Sequence, residues 1–197
     1  MLANYVRPWL QSRFIDPFIR FSYIKTLTPL WVTMGATFSG VFSAICIACG
    51  LPLFAMMSLF ISGCLDVLDG SIARKYQKAS PFGAVCDIFS DRLVECAVIV
   101  GLFFLHPETR AVYCLAMLSA CFLCVTSFLV VGIFIENTQE KSFHYSPGII
   151  ERGEAFLFFF LMIAFPTWFW QLSCVFTGLV FLTACIRIYQ FGKNSIL

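Results

Sequence analysis

Charged side chains vanish from two long stretches of this 197-residue chain: Thr26 to Leu65, 40 residues, and Ala111 to Ile135, 25 residues. A bilayer core about 30 Å thick is crossed by about 20 apolar residues in a helix. The first stretch therefore holds two spans, with Gly50-Leu51-Pro52 as the turn between them. A cleaved signal peptide cannot account for both. Extended along the chain, the pattern predicts six spans, over 28–49, 52–74, 82–105, 111–135, 150–166 and 168–189. His106 to Arg110 makes one turn and Pro166-Thr167 another. The fifth span is the least regular. Only Ala155 to Phe165 is apolar before Pro166, so its helix has to begin among Glu151, Arg152 and Glu154.

The first 25 residues read differently. Arg7, Arg13, Arg20 and Lys25 stand among Tyr5, Trp9, Leu10, Phe14, Phe18 and Phe21, and the apolar positions 5, 6, 9, 10, 14 and 18 recur at roughly helical spacing, broken by Pro8 and Pro17. A basic, aromatic segment of this kind suits the membrane interface. The expected architecture is all-α: an amphipathic interfacial segment over 1–25, then a six-helix transmembrane domain over 26–197.

Composition agrees with lipid as the solvent. Hydrophobic residues make up 60% of the chain and charged residues 12%, against roughly 25% charged in a soluble domain. With an interior N-terminus, eleven of the thirteen Lys and Arg fall on one side, with Arg110 alone opposite and Arg92 inside the third span. The positive-inside rule then places both termini, and the linker between the second and third spans, in the cytoplasm. No nucleic-acid partner is expected. The ten Cys all lie in apolar segments. Cys46/Cys49 and Cys121/Cys124 have Cys-x-x-Cys spacing but lack polar neighbours, so they read as small buried hydrophobes.

The acids change the picture. Asp66, Asp69, Asp87, Asp91 and Glu95 all fall in the second and third spans. A lone carboxylate at mid-membrane costs on the order of 3 kcal/mol, so five together require a partner for their charge. Asp66, Asp69, Gly70 and Ala73 share one helical face, and Gly83, Asp87 and Asp91 recur at intervals of four along another. Antiparallel packing of these two helices is expected to bring four Asp side chains together near the cytoplasmic boundary. Two hard divalent cations would balance them, Mg²⁺, Mn²⁺ or Ca²⁺ by ligand chemistry. His is absent from the cluster and no Cys alternates with the Asp residues, which argues against zinc. Arg92 and Glu95, three residues apart, read as a helical ion pair, and His106 as a turn residue.

The run Asp66-x2-Asp69-Gly70-x2-Ala73-Arg74-x8-Gly83-x3-Asp87-x3-Asp91 resembles the motif of the CDP-alcohol phosphatidyltransferase family at all eight of its fixed positions. The resemblance is to the CDP-diacylglycerol-using type. One departure is visible: the Pro-Asn-x-x-Thr element entering the first span of many members is here Pro29-Leu30-Trp31-Val32-Thr33. The resemblance implies transfer of a phosphatidyl group from CDP-diacylglycerol to the hydroxyl of a small polar acceptor, with release of CMP. It also implies two metal ions, Mg²⁺ or Mn²⁺, on Asp66, Asp69, Asp87 and Asp91. Gly70, Ala73, Arg74 and Gly83 would then hold the CDP-donor. Asp91 would be the catalytic base, since the carboxylates most committed to metal are poor bases.

The acceptor is left open between glycerol-3-phosphate and inositol or inositol phosphate. Lys141, His144, Arg152 and Arg187 are the basic groups on the same side, and Lys141, Arg152 and Arg187 are the candidates for an acceptor phosphate. Gly148 to Glu154 is similar to the fifth-span entry of members that use inositol phosphates, although Ala155 stands where those often have a second Arg. A homodimer is expected from the family and from the many outward Phe. Two rival functions share the acids: transfer of a CDP-linked head group to diacylglycerol, and a cation or proton transporter. A transport path spreads polar groups through the membrane depth, whereas these acids gather at one end.

Overall fold

The computed structural model describes residues 28–134, 150 and 152–195. The expected interfacial segment, Lys141 and His144 lie outside the described residues. All regular structure among the described residues is helical: α1 (Pro29–Ala48), α2 (Pro52–Lys75), α3 (Pro81–Leu105), α4 (Pro107–Phe134), α5 (Arg152–Ala164), a 3₁₀ turn (Pro166–Trp168) and α6 (Phe169–Ser195).

Proline starts four of the six helices and the 3₁₀ turn. Its fixed φ suits the first helical turn, where no backbone N–H is needed. The α1–α2 corner closes as a Schellman motif. Leu51 N–H donates to Cys46 O at 2.9 Å and Gly50 N–H to Ile47 O at 2.9 Å, with Gly50 at φ +70°. The end of α2 repeats this pattern with Gln77 at φ 52° and Lys78 N–H donating to Ala73 O at 3.0 Å.

Helix α1 is the spine of one half of the bundle, with α2 and α3 packed along it. Small residues permit this. A Cβ on Gly101 of α3 would stand 2.5 Å from Ala44 O, and one on Gly40 of α1 would stand 2.6 Å from the Val94 methyls. Serine hydroxyls stitch α1 to α2: Ser39 Oγ donates to Ser58 O, Ser43 Oγ to Ala55 O and Ser62 Oγ to Ala36 O, each at 2.8 Å. Interhelical bonds of this kind hold helices together where lipid removes the hydrophobic drive.

The other half pairs α4 with α6, and α5 leans on α2, α3 and α6. The two motif helices do not pack along each other as expected. Both lie on α1 instead, because the close fits at Gly40 and Gly101 favour that helix, and a wedge stays open between them.

The outer surface is apolar, with Phe38 75% and Ile133 76% exposed, while Ser43 and Ser62 are fully buried. That inverted arrangement fits a lipid environment. Among the described residues four segments are long and apolar enough to cross a membrane: α1, α2, α4, and the 3₁₀ turn with α6. Helix α3 has 25 residues but carries Asp87, Asp91, Arg92 and Glu95. Helix α5 has 13 residues and reaches about 20 Å, short of a full crossing.

Arg110 stands at the end of the bundle opposite the acids. It is buried, donates to Leu102 O at 3.3 Å and lies over the Phe169 ring at 4.1 Å. It thus caps the carboxyl end of α3 and holds the start of α6, a task for which lone arginines at span ends give no sign in sequence. Arg92 and Glu95 form the expected pair, at 2.7 Å. All ten Cys are free thiols.

Candidate metal centre and nucleotide pocket

The last three turns of α2 and the first three of α3 supply the acids, joined by the short link from Tyr76 to Ser80. Ser80 starts α3 by accepting from Gly83 N–H at 3.0 Å, an N-cap that fixes where the Asp87 row begins. One carboxylate oxygen from each of Asp66, Asp69 and Asp87 lies within 4.8 Å of the others. The helical spacing read from the sequence therefore does converge, although the helices diverge beyond it.

Each acid is held differently. Asp69 is buried and accepts from Thr33 Oγ1 at 2.7 Å, which ties it to α1. Asp66 and Asp91 are both ion-paired to the same nitrogen, Arg152 Nη1 at the start of α5. That atom stands 3.9 Å from Asp87 Oδ1, beyond hydrogen-bond reach. Asp87 Oδ1 is itself enclosed and accepts no hydrogen bond among the described residues. An enclosed carboxylate oxygen without a donor, beside two further hard oxygen ligands, fits a divalent cation. The residues present thus suit the metals the motif implies.

Beside the trio a cavity of about 420 Å³ opens between α2, α3 and the start of α1. Gly70, Ala73 and Arg74 line it from α2, Gly83 from α3, and Asp69 and Asp87 border it. The structure thus brings together every residue singled out for the donor. A Cβ on Gly70 would meet Arg74 Nη1 at 3.3 Å, so the missing side chain leaves the guanidinium its place. Lys78 and Thr33 also line the cavity, and the motif singled out neither. The signal for Thr33 was the Pro29-to-Thr33 remnant of the span-entry element. Leu30, standing where that element has Asn, faces the same space.

The three acceptor candidates separate. Arg152 stands among the carboxylates. Arg187 points to α4 instead, donating to Cys124 O at 2.9 Å and Ser127 Oγ at 3.2 Å. Lys141 lies outside the described residues. Ile150 N–H donates to Thr183 Oγ1 at 3.3 Å, which fastens the approach to α5 one turn from Arg187. A second depression, of about 650 Å³ at the far end of the bundle beside His106 and Arg110, is lined by no carboxylate among the described residues.

Comparison with known proteins agrees with the motif. The model of the CDP-alcohol phosphatidyltransferase family matches residues 26–189. The chain is 29% identical over 171 residues to Inner membrane protein YnjF of Escherichia coli (strain K12), covering 83% of this chain and 82% of that protein. It is 29% identical over 153 residues to the phosphatidylinositol phosphate synthase of Mycobacterium tuberculosis, covering 73% of this chain and 65% of that protein, just under two thirds. The crystal structure of that mycobacterial synthase with CDP-DAG bound superposes with a TM-score of 0.74 at 21% identity, over 91% of this chain and 94% of that chain. A second, in complex with manganese and citrate, gives 0.71 at 21% identity, over 89% and 87%. The chain is an integral membrane protein of the CDP-alcohol phosphatidyltransferase family.

Proposed function

We infer that this enzyme transfers the phosphatidyl group of CDP-diacylglycerol to the hydroxyl of an inositol-type acceptor, releasing CMP in phospholipid synthesis. The observation that carries the reading is the trio of Asp oxygens within 4.8 Å of one another at the edge of the nucleotide-sized cavity. Relatives named phosphatidylinositol phosphate synthase and CDP-diacylglycerol--inositol 3-phosphatidyltransferase, from Candida albicans, favour inositol phosphate or inositol over glycerol-3-phosphate.

Asp66, Asp69, Asp87 and Asp91 would hold two divalent cations, Mg²⁺ or Mn²⁺. Such ions, when bound, neutralise charge on a pyrophosphate and its leaving oxygen. The chain's own residues do the rest. Thr33 fixes the orientation of Asp69. Gly70, Ala73 and Gly83 let the cytidine nucleotide lie close to both helices, and Arg74 faces a donor phosphate from the cavity wall. Asp91, outside the grouped trio, takes the proton of the acceptor hydroxyl onto its carboxylate. The acceptor oxygen then bonds to the lipid-bearing phosphorus as the bond to CMP breaks. Arg152, with Lys141, would hold an acceptor phosphate; Arg187 could join them only by leaving Cys124 O and Ser127 Oγ on α4.

The same reading extends to the whole chain. Six segments lie in the membrane, α5 reaching through only part of its core, with residues 1–25 at the interface and 26–197 as the catalytic domain. Both termini and the site face the cytoplasm, and the enzyme works as a homodimer. The test is CMP release from CDP-diacylglycerol with Mg²⁺ or Mn²⁺ and one acceptor at a time: inositol phosphate, inositol, glycerol-3-phosphate or serine. Release with an inositol-type acceptor supports the reading. Release only with glycerol-3-phosphate or serine overturns the acceptor, and release only with CDP-choline and diacylglycerol overturns the donor.

A further inference from the structure

Arg152 occupies a place that the metal reading does not explain. One atom of its guanidinium, Nη1, is ion-paired to Asp66 on α2 and to Asp91 on α3, and stands 3.9 Å from Asp87 Oδ1. The side chain is only 20% exposed, and its guanidinium carbon lies 5.5 Å from the centre of the Phe156 ring. Asp66 is also one of the three residues whose oxygens group within 4.8 Å. A divalent cation takes oxygen ligands at about 2.0–2.6 Å. An ion bound to Asp66 and Asp87 would therefore sit only a few ångströms from a guanidinium nitrogen of like charge, with little water to screen the repulsion.

We propose that Arg152 is the resident counter-ion of the carboxylate cluster, and that a divalent cation binds by displacing its guanidinium from Asp66 and Asp91. The inference rests on the metal reading above and adds an order to it. Without the ion, Arg152 neutralises part of the cluster and holds α5 against α2 and α3. With the ion, the guanidinium is released at the edge of the site, still charged and still anchored by α5. There it faces any anion that approaches the cluster. Metal loading and anion capture are then coupled through one side chain. By linkage, the coupling runs equally in both directions.

The experiment is Mn²⁺ binding to the full chain in detergent micelles, followed by the electron paramagnetic resonance signal of free Mn²⁺. Wild type is compared with Arg152→Gln and Arg152→Lys, and thermal unfolding is recorded in chelator and in Mn²⁺. The expected result is that Arg152→Gln binds Mn²⁺ about tenfold tighter than wild type, because no cation has to leave. Arg152→Lys, which keeps the charge, stays closer to wild type. In chelator, Arg152→Gln melts lower than wild type, and Mn²⁺ restores it by a larger shift than wild type shows. Equal or weaker Mn²⁺ binding by Arg152→Gln overturns the exchange while leaving the metal site intact. Binding by none of the three chains overturns the metal site, and the exchange with it.

Discussion

Thr33 Oγ1 donates a 2.7 Å hydrogen bond to Asp69 Oδ2, joining the first helix of the bundle to a carboxylate of the second. Both residues are buried. The bond fixes which way the Asp69 oxygens face and spans 36 residues of chain. Thr33→Val keeps the side-chain shape and removes the donor. A buried carboxylate left without that partner loses about 1–3 kcal/mol. The expected outcome is a fall in kcat/KM of about tenfold or more, with weaker Mn²⁺ binding at unchanged helix content. Steady-state CMP release and a Mn²⁺ titration measure the two effects separately.

The α1–α3 contact is the tightest helix crossing in the described bundle that a single methyl would probe. A Cβ at position 101 would lie 2.5 Å from the backbone oxygen of Ala44, and backbone cannot step aside as a flexible side chain can. Gly101→Ala is expected to destabilise the fold by about 1–3 kcal/mol through overpacking. The readout is a lower melting temperature in detergent. Gly178→Ala is the control, since a Cβ there meets nothing within 4 Å, and it is expected to melt like wild type.

At the opposite end, Arg110→Met removes the donor to Leu102 O and the charge over the Phe169 ring while keeping much of the side-chain volume. The loss of a bond to a helix-end carbonyl destabilises by about 1–2 kcal/mol. Melting temperature should fall while kcat and the donor KM, measured well below the melt, stay at wild-type values. A large change in kcat would mean that the far end is coupled to the site.

Gln77 holds a left-handed backbone conformation, φ 52°, at the end of α2. That conformation costs a residue with a Cβ about 1–2 kcal/mol, and glycine is the usual solution at this position. Gln77→Gly is therefore expected to raise the melting temperature slightly, the gain being reduced by the extra freedom of glycine in the unfolded chain. A lower melting temperature would show that the Gln77 side chain makes a stabilising contact.

Much of this was legible because membrane helices are written in long apolar runs and proline starts. Gly50 and Pro52 mark the first corner in the chain itself, whereas the stretch His106 to Arg110, read as a turn, is mostly the first turn of α4, which starts at Pro107. The convergence of three carboxylates was legible too, since intervals of three and four put Asp66 and Asp69 on one stripe and Asp87 on another; Asp91, expected with them, stands outside the trio. What the helices pack against was not. Whether α3 lies on α2 or on α1 depends on Gly40, Gly101 and Ala44 meeting across a gap, and a glycine in an apolar run looks the same whichever neighbour it serves. The destinations of long cations were hidden for a similar reason. Arg110, Arg152 and Arg187 all sit near span ends, yet one caps a helix, one enters the carboxylates and one bonds α4. Only the third dimension separates those fates.

The most direct test of the central claim is CMP release from CDP-diacylglycerol and inositol phosphate by the purified chain, in Mn²⁺ and in chelator, beside Asp91→Asn. The account predicts release that needs both the acceptor and the metal and falls by at least a thousandfold in the variant. Release that persists in chelator, or that Asp91→Asn retains at wild-type rate, would contradict it.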